Sequence, residues 1–228
     1  MKNIVSFFCI FFFSKINIMT KYDNWKAWYD AEGDVLQKEV VDYVIHPAGL
    51  EGRLEWWNTG LRDAQYTITE LKLQKHEHVL EYGCGNGRIL RHLDAYHACG
   101  VDIVPAFVEE AKEKGCDAYV LEDCDKKVDK VYSLTVFIHL RHEQARTALK
   151  YIHEHLEDGG TAHLQALIYQ KDKDARNFSD MTCYKRQTWI NLVQECGFEV
   201  VETWENDGDL DKGEFGPNHN KYQVIKKI

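Results

Sequence analysis

The stretch that decides the fold is Val79-Leu80-Glu81-Tyr82-Gly83-Cys84-Gly85-Asn86-Gly87. Its first part is a short, mostly apolar run, which is typical of a buried strand, and three glycines then end that run. Because glycine has no Cβ and tolerates positive φ, the backbone can turn sharply there and approach a ligand closely. Ile89, Leu90 and Leu93 have helical spacing, and the first amides of such a helix face the same ligand. The stretch therefore predicts a strand, a ligand-binding turn and a helix.

An acidic residue follows at the end of the next apolar run. Residues 98–103 predict a second strand, and Asp102 lies near its end, 19 residues after Gly83. Nucleotide-binding α/β folds place the acid that binds ribose hydroxyls at about this spacing. A carboxylate accepts two such hydrogen bonds without needing a donor of its own. The alternative is that Asp102 caps the helix that Pro105 begins.

Strands and helices alternate over the rest of the chain. Apolar residues recur at three- and four-residue steps between most of the predicted strands, as in helices that cover a sheet. This alternation predicts an α/β, Rossmann-like fold with a mostly parallel seven-stranded sheet and helices on both faces. No helix separates the last two strands, so we expect the last strand to be antiparallel. The predicted strands cover residues 78–82, 98–103, 116–121, 130–137, 161–168, 198–204 and 221–226.

The first 60 residues lie outside this alternation. Residues 1–18 resemble the front of a signal peptide, but no small-x-small cleavage site follows them. Their apolar run is also shorter than the about 20 residues that a membrane-spanning helix needs. We interpret them as a hydrophobic extension or a mis-assigned start, with Met19 as the alternative first residue. Residues 19–60 predict an N-terminal helical segment, and residues 61–228 the main domain.

Composition narrows the partners and the compartment. The formal charge of −9 and the scattered Lys and Arg residues disfavour a nucleic-acid partner, and we expect no stable membrane insertion. Seven cysteines without a CxxC pair favour a reducing compartment, and so a cytoplasmic location. The histidine pairs His76/His78 and His153/His155 have no third convergent ligand, so we expect no metal site.

The glycine stretch resembles motif I of the class I S-adenosylmethionine-dependent methyltransferases. The signature of that motif is an acidic residue two places before a G-x-G-x-G turn, and Glu81 matches it. A dinucleotide dehydrogenase would have its third glycine where Arg88 stands. Similarity to the family continues through residues 101–103, 122–124 and 128–140, and it covers the chain from about residue 60 to the C-terminus. The resemblance implies S-adenosylmethionine as the cofactor.

The resemblance also implies which residues hold that cofactor. Asp102 would bind the ribose, Ile103 would flank the adenine, and Thr135 would line the methyl-donating side. The methionine part would lie beside Glu81, Gly83, Cys84, Gly85, Asn86 and Gly87. For Cys84 and Cys124, the two cysteines of these motifs, packing is the expected role of the side chain, because no neighbouring residue activates a thiol.

The third motif is ambiguous. Asp123 would meet the adenine amino group, and Cys124 would supply a backbone contact. Glu122 and Asp125 compete with Asp123 for this role. A solvated loop acid without a ligand is the alternative reading of Asp123.

His139 is the candidate catalytic base, because residues after the fourth strand often face the substrate in this family. Methyl transfer from a sulfonium is an in-line displacement that depends largely on positioning, so a base is needed only for a protonated nucleophile. The alternative role of His139 is core packing or a helix start.

The resemblance assigns a covering role to the N-terminal helices, which often form a lid over the cofactor and the substrate in this family. Aromatic rings could contact the sulfonium or a cationic substrate there. Core packing is the alternative role. The aromatic residues in question are Tyr22, Trp25, Trp28, Tyr29, Trp56 and Trp57.

The predicted activity is methyl transfer to a small molecule, with a protein side chain as the second candidate acceptor. The chain has no Asn/Asp-Pro-Pro-aromatic motif after its fourth strand and no Pro-Cys pair, the motifs of DNA amino and cytosine C5 methylation. Two other classes stay open. One is a non-catalytic methyltransferase-like binding module, because fold resemblance supports a scaffold better than a reaction. The other is a NAD-dependent oxidoreductase, whose glycine spacing and catalytic Tyr-Lys or His partner are missing here.

Overall fold

The structure is a computed structural model, and it describes Ala27 and residues 53–169, 172, 174, 181–203 and 221–228. The helices in this part of the chain are α1 (Arg53–Glu70), α2 (Pro105–Glu113), α3 (His142–His155) and α4 (Arg186–Glu195). The strands are β1 (His78–Tyr82), β2 (His97–Asp102), β3 (Ala118–Val120), β4 (Val128–Ser133), β5 (Leu156–Ala166), β6 (Ile168–Tyr169), β7 (Tyr184–Lys185), β8 (Phe198–Thr203) and β9 (Lys221–Lys227).

Seven of these strands form one sheet in the order β3-β2-β1-β4-β5-β9-β8. The pairs β1/β2, β1/β4, β2/β3 and β4/β5 are parallel, whereas β9 runs antiparallel to both β5 and β8. The direction in which successive strands are added reverses between β1 and its neighbour β4. Open α/β sheets bind ligands at such a switch point. The predicted Rossmann-like fold, with its antiparallel last strand, is confirmed.

Helices cover both faces of the sheet. On one face α3 and α4 enclose the larger apolar core, in which Leu149 and Trp189 are fully buried. On the other face α1 packs Ala64 over Val79 of β1, and Leu71, just after the helix, joins the same cluster. Since successive residues of a strand point to opposite faces, β1 must be apolar on both, and Val79 and Leu80 are both fully buried.

The prediction of a helix after the glycine turn is wrong. Only a single 3-10 turn, Leu90–His92, forms there. The connection from β1 to β2 has 14 residues, 83–96, and the glycine turn takes the first five. A crossover between parallel strands usually needs a dozen or more residues. The remaining nine are too few for a regular helix that also returns to the start of β2.

The fourth strand is shorter than predicted. It ends at Ser133, and residues Phe137–His139 form a 3-10 turn instead of continuing it. Thr135 has a φ of 63°, which takes the chain out of the extended region. The side chains predicted to line the site after β4 therefore lie on a tight connection.

Several predictions fall outside the described residues. These are the extension at residues 1–18, most of the helical segment predicted at 19–60 and the aromatic side chains of the predicted lid. Of residues 19–60 the structure describes Ala27 and the first part of α1, which begins at Arg53. None of the described helices is both long and apolar enough to cross a membrane.

Candidate cofactor site

The glycine turn at the end of β1 has left-handed backbone at Gly83, Gly85 and Gly87, with φ of 81°, 51° and 81°. A Cβ on Gly83 would lie 2.3 Å from Cγ2 of Val136, and one on Gly87 would lie 2.8 Å from Sγ of Cys116. A Cβ on Gly85 would meet no atom within 4 Å. Gly83 and Gly87 thus permit close packing, whereas the backbone at Gly85 borders open space that a ligand can occupy.

Asp102 connects the turn to the start of α2. Its Oδ2 accepts a hydrogen bond from the Gly85 amide at 2.8 Å, and its Oδ1 accepts one from the Val104 amide at 2.9 Å. The side chain is buried, and this burial raises the pKa of Asp102 despite the amide donors. Each carboxylate oxygen has a second lone pair, so ribose hydroxyls can still bind. The N-cap residue of α2 is Val104, so Asp102 supports the helix start from two residues away.

The side chains of Cys84 and Asn86 have different surroundings. Cys84 is buried against Gly100, and burial raises the pKa of its thiol well above the ordinary value. Asn86 is half-buried, and its Nδ2 donates to Oε1 of Glu110 on α2 at 3.1 Å. Packing is therefore the role of the Cys84 side chain, whereas that of Asn86 connects the turn to α2.

Glu81 lies beneath the turn, 4% exposed, and accepts a hydrogen bond from the Tyr132 hydroxyl at 2.7 Å. The two residues are register partners on β1 and β4. Burial raises the pKa of Glu81 to about 8, which the Tyr132 hydrogen bond and the Arg88 charge only partly oppose. Burial therefore favours the neutral form of the Glu81 carboxyl group, which is bonded to β4 through Tyr132.

The predicted adenine side lies at the ends of β2 and β3. Asp102 and Val120 are register partners, so the 3-10 turn Leu121–Asp123 begins at the same edge of the sheet as Asp102, the predicted ribose-binding acid. Ile103 is half-buried beside it. Asp123 is exposed, as are its two competitors, so exposure does not choose among the three acids.

Cys124, the last residue predicted on the adenine side, is buried. Its carbonyl oxygen lies 3.0 Å from Nε2 of His155. Since a carbonyl oxygen has two lone pairs, this contact leaves both the Cys124 carbonyl and its amide for the predicted adenine contact.

The predicted methyl-donating side is the connection after β4. Thr135 is exposed, and its amide donates to Oε1 of Gln165 on β5. His139 is half-buried on the following 3-10 turn, and its amide donates to the Val136 carbonyl at 2.9 Å. Both residues follow the carboxyl end of β4, the edge that also carries the glycine turn.

Residues 79–160 match a family model described as "Methyltransferase domain". The match runs from β1 through the turn, Asp102 and the connection after β4 to the glycine pair 159–160, and so includes every predicted site residue. This part of the chain is a methyltransferase domain, and its motifs and fold resemble those of the class I S-adenosylmethionine-dependent methyltransferases. The predicted family and its cofactor, S-adenosylmethionine, are confirmed.

A curated relative of this methyltransferase is the Homo sapiens protein described as "Probable tRNA methyltransferase 9B", 28% identical over 106 residues. That alignment covers 44% of this chain and 23% of the relative, so the chain matches less than a quarter of the relative's length.

Two solved structures show the same fold. Magnesium protoporphyrin IX methyltransferase from Synechocystis PCC 6803 with bound SAM has a TM-score of 0.60 and 14% identity, covering 89% of this chain and 95% of that one. The cyclase SpnF has a TM-score of 0.65 and 12% identity, covering 90% of this chain and 97% of that one. At these identities the likeness shows the fold alone.

Sequence reasoning missed the side chains that brace the methyltransferase site from outside its motifs. Tyr132 and Gln165 look like ordinary strand residues, and Asp63 looks like a solvent-facing helix position. Arg88 carried the only sequence signal, since a cation directly after the glycine turn needs a partner. Nη1 of Arg88 donates to Oδ2 of Asp63 at 2.7 Å.

Proposed function

We propose that this chain transfers the methyl group of S-adenosylmethionine to a small-molecule acceptor. The observation that carries the proposal is the bridge from Asp102 to the Gly85 amide beside open space at the switch point of the sheet. A left-handed glycine whose missing Cβ leaves room, next to a buried carboxylate, fits a ligand with a polar chain and a ribose.

The residues around this bridge have distinct roles in the proposal. The Gly85 backbone borders the methionine part, Asp102 accepts hydrogen bonds from the ribose, and Ile103 packs on the adenine with Asp123 near its amino group. Thr135 lines the side from which the methyl group leaves. The cofactor supplies an electrophilic methyl group on a sulfonium, and the protein contributes binding and alignment of the acceptor.

A small molecule is the proposed acceptor because several described cations are compensated locally and the chain is acidic. Lys114 pairs with Glu110 at 2.5 Å and Lys126 with Asp117 at 2.5 Å, and the whole chain has a charge of −9. A phosphate backbone is bound through several uncompensated Lys or Arg side chains. The curated relative named as a tRNA methyltransferase makes tRNA the acceptor class to test against this proposal.

Cofactor binding is tested first, with a matched pair of glycine variants. Gly85 and Gly115 both have positive φ, and a Cβ on either would meet no atom within 4 Å. Gly85→Ala and Gly115→Ala therefore impose similar backbone strain, but only the first adds a methyl group at the proposed site. By calorimetry, Gly85→Ala should lower S-adenosylmethionine affinity by roughly tenfold or more, and Gly115→Ala should leave it near the wild-type value.

The outcome against this proposal is equally clear. Wild-type protein that binds NAD more tightly than S-adenosylmethionine, or binds neither, would overturn the cofactor assignment. Equal losses in both glycine variants would show that the effect is backbone strain and not the site.

The acceptor is tested with isotopically labelled S-adenosylmethionine against metabolite pools, proteins, tRNA and duplex DNA. Label in the filtrate of a metabolite pool at substoichiometric enzyme supports the proposal. Label in tRNA or protein would replace the small-molecule assignment, and cofactor binding without any transfer would indicate a non-catalytic binding module.

We also propose a cytoplasmic location. Six cysteines in the described part of the chain are free: Cys84, Cys99, Cys116, Cys124, Cys183 and Cys196. Free thiols persist in reducing compartments. Fractionation of cells that express a tagged full-length chain tests this location, and recovery from the membrane or secreted fraction would contradict it.

A further inference from the structure

Thr135 has an unusual backbone for its residue type. Its φ is 63°, and the other non-glycine residue with positive φ in the described chain is Lys72. In a β-branched residue the left-handed region is sterically unfavourable. Such strain persists only where surrounding contacts hold it, and it occurs preferentially at functional sites.

Two contacts hold the connection after β4 against the glycine turn. Oγ of Ser133 donates to the Tyr82 carbonyl at 2.8 Å, immediately before the turn. Val136 contacts Gly83 so closely that any Cβ there would overlap it. These contacts fix the residues on either side of Thr135, so its backbone lies directly beside the proposed cofactor site.

Gln165 provides the contact to Thr135 itself. It is 1% exposed on β5, and its Oε1 accepts the hydrogen bond from the Thr135 amide. Its neighbour two residues earlier on the same face, His163, is also buried, and burial lowers the pKa of His163 to about 4. A buried amide in such surroundings is costly unless it is bonded, which suits a group that must hold one backbone conformation.

We propose that Gln165 is a positioning residue for methyl transfer, which holds Thr135 in its left-handed conformation and so shapes the methyl-donating side of the cofactor site. The inference rests on the proposed function. It concerns a residue outside the family motifs, acting through the backbone of Thr135 and not by touching the reacting atoms.

The experiment uses four full-length variants and calorimetry with S-adenosylmethionine. Gln165→Met keeps the volume but removes the acceptor, and we expect roughly tenfold weaker binding. Thr135→Gly is the reference background, because glycine adopts positive φ without strain. In the double variant Gln165→Met/Thr135→Gly we expect affinity within about threefold of that of Thr135→Gly alone, since glycine no longer needs to be held.

Lys72→Gly combined with Gln165→Met is the matched control, since it relieves the other positive φ and should leave the affinity low. A merely structural role of Gln165 would lower the melting temperature without this specific rescue. Should Gln165→Met not fold, Gln165→Asn, whose side chain is too short to reach the amide, takes its place in the same set.

Unchanged affinity in Gln165→Met, or an equal further loss when Gln165→Met is added to Thr135→Gly, overturns the inference. So does equal rescue by Lys72→Gly. These outcomes differ from failure of the proposed function, in which wild-type protein itself does not bind S-adenosylmethionine.

Discussion

Arg88, the residue that follows the glycine turn, donates from Nη1 to Oδ2 of Asp63 on α1 at 2.7 Å and to Oγ1 of Thr59 at 3.1 Å. The backbones of α1 and of the residue after the turn are also in close contact, because a Cβ on Gly60 would lie 2.2 Å from the Arg88 carbonyl oxygen. Helix α1, whose first part belongs to the predicted N-terminal segment, is therefore attached to the glycine turn at Arg88.

Breaking this ion pair should affect both stability and cofactor binding. Both side chains are at most a quarter exposed, so Asp63→Ala should cost about 1 to 3 kcal/mol of unfolding free energy and also weaken S-adenosylmethionine binding. Arg62→Ala is the control, because Arg62 is 76% exposed and lies 3.6 Å from the same carboxylate. Urea unfolding and calorimetry measure the two effects, and equal results for the two variants would contradict the role of Arg88.

Removing the Asp102 carboxylate should have two measurable consequences. A hydrogen bond to a charged group contributes about 1.5 to 3 kcal/mol, so Asp102→Ala should lower S-adenosylmethionine affinity by roughly tenfold to a hundredfold or more. The melting temperature should fall as well, because the carboxylate also accepts the Gly85 and Val104 amides. Asp102→Asn, which keeps one acceptor, should lose less of both. A lowered melting temperature with unchanged affinity would identify Asp102 as a purely structural residue.

Stability should decrease as pH rises through the pKa of Glu81. Burial raises this pKa from 4.5 to about 8, so between these values the folded protein holds a proton that the unfolded chain has lost. The stabilisation is complete below pH 4.5 and is lost as pH rises through 8. Urea unfolding at pH 6 and pH 9 should show a smaller loss for Glu81→Gln than for wild type. Parallel pH curves for the two proteins would argue that Glu81 is ionised throughout.

His163 should produce the opposite pH dependence, with stability lost as the pH falls. Burial lowers the pKa of His163 from 6.5 to about 4, and its ring makes an edge contact with Tyr66 of α1, with centroids 5.6 Å apart. This contribution is present above pH 6.5 and is lost as pH falls through 4. His163→Phe keeps a ring but cannot be protonated. Its melting temperature should therefore fall less between pH 7 and pH 4 than that of wild type. The melting temperature at both pH values checks this, and an identical drop in both proteins would rule it out.

His139 should matter for transfer and not for cofactor binding. With the acceptor found in the labelling screen, His139→Ala should lower the rate by roughly a hundredfold to ten-thousandfold if a proton must be removed. S-adenosylmethionine affinity should be unchanged. An unchanged rate would leave His139 with a packing role on the 3-10 turn Phe137–His139.

Local features of the chain determined a large part of this protein. The apolar run before Gly83, the glycine spacing and the distance to Asp102 predict β1, the turn and the end of β2, because each depends on nearby residues and on backbone sterics. The periodic apolar residues likewise predict α3 and α4, and the missing helix before the last strand predicts its antiparallel direction. The segment after Gly87 was predicted wrongly, because its apolar spacing is helical but the number of residues before β2 is too small for a helix.

Only the tertiary structure decided which distant residues meet. Tyr132 donates to Glu81 across 51 positions, Gln165 accepts from Thr135 across 30, and Arg88 reaches Asp63 across 25. Each contact depends on the order of the strands or on the position of α1 over the sheet, and no local periodicity encodes either. Burial of these polar groups then changes their chemistry, as in the raised pKa of Glu81, because the cost of desolvation exists only once the core has closed around them.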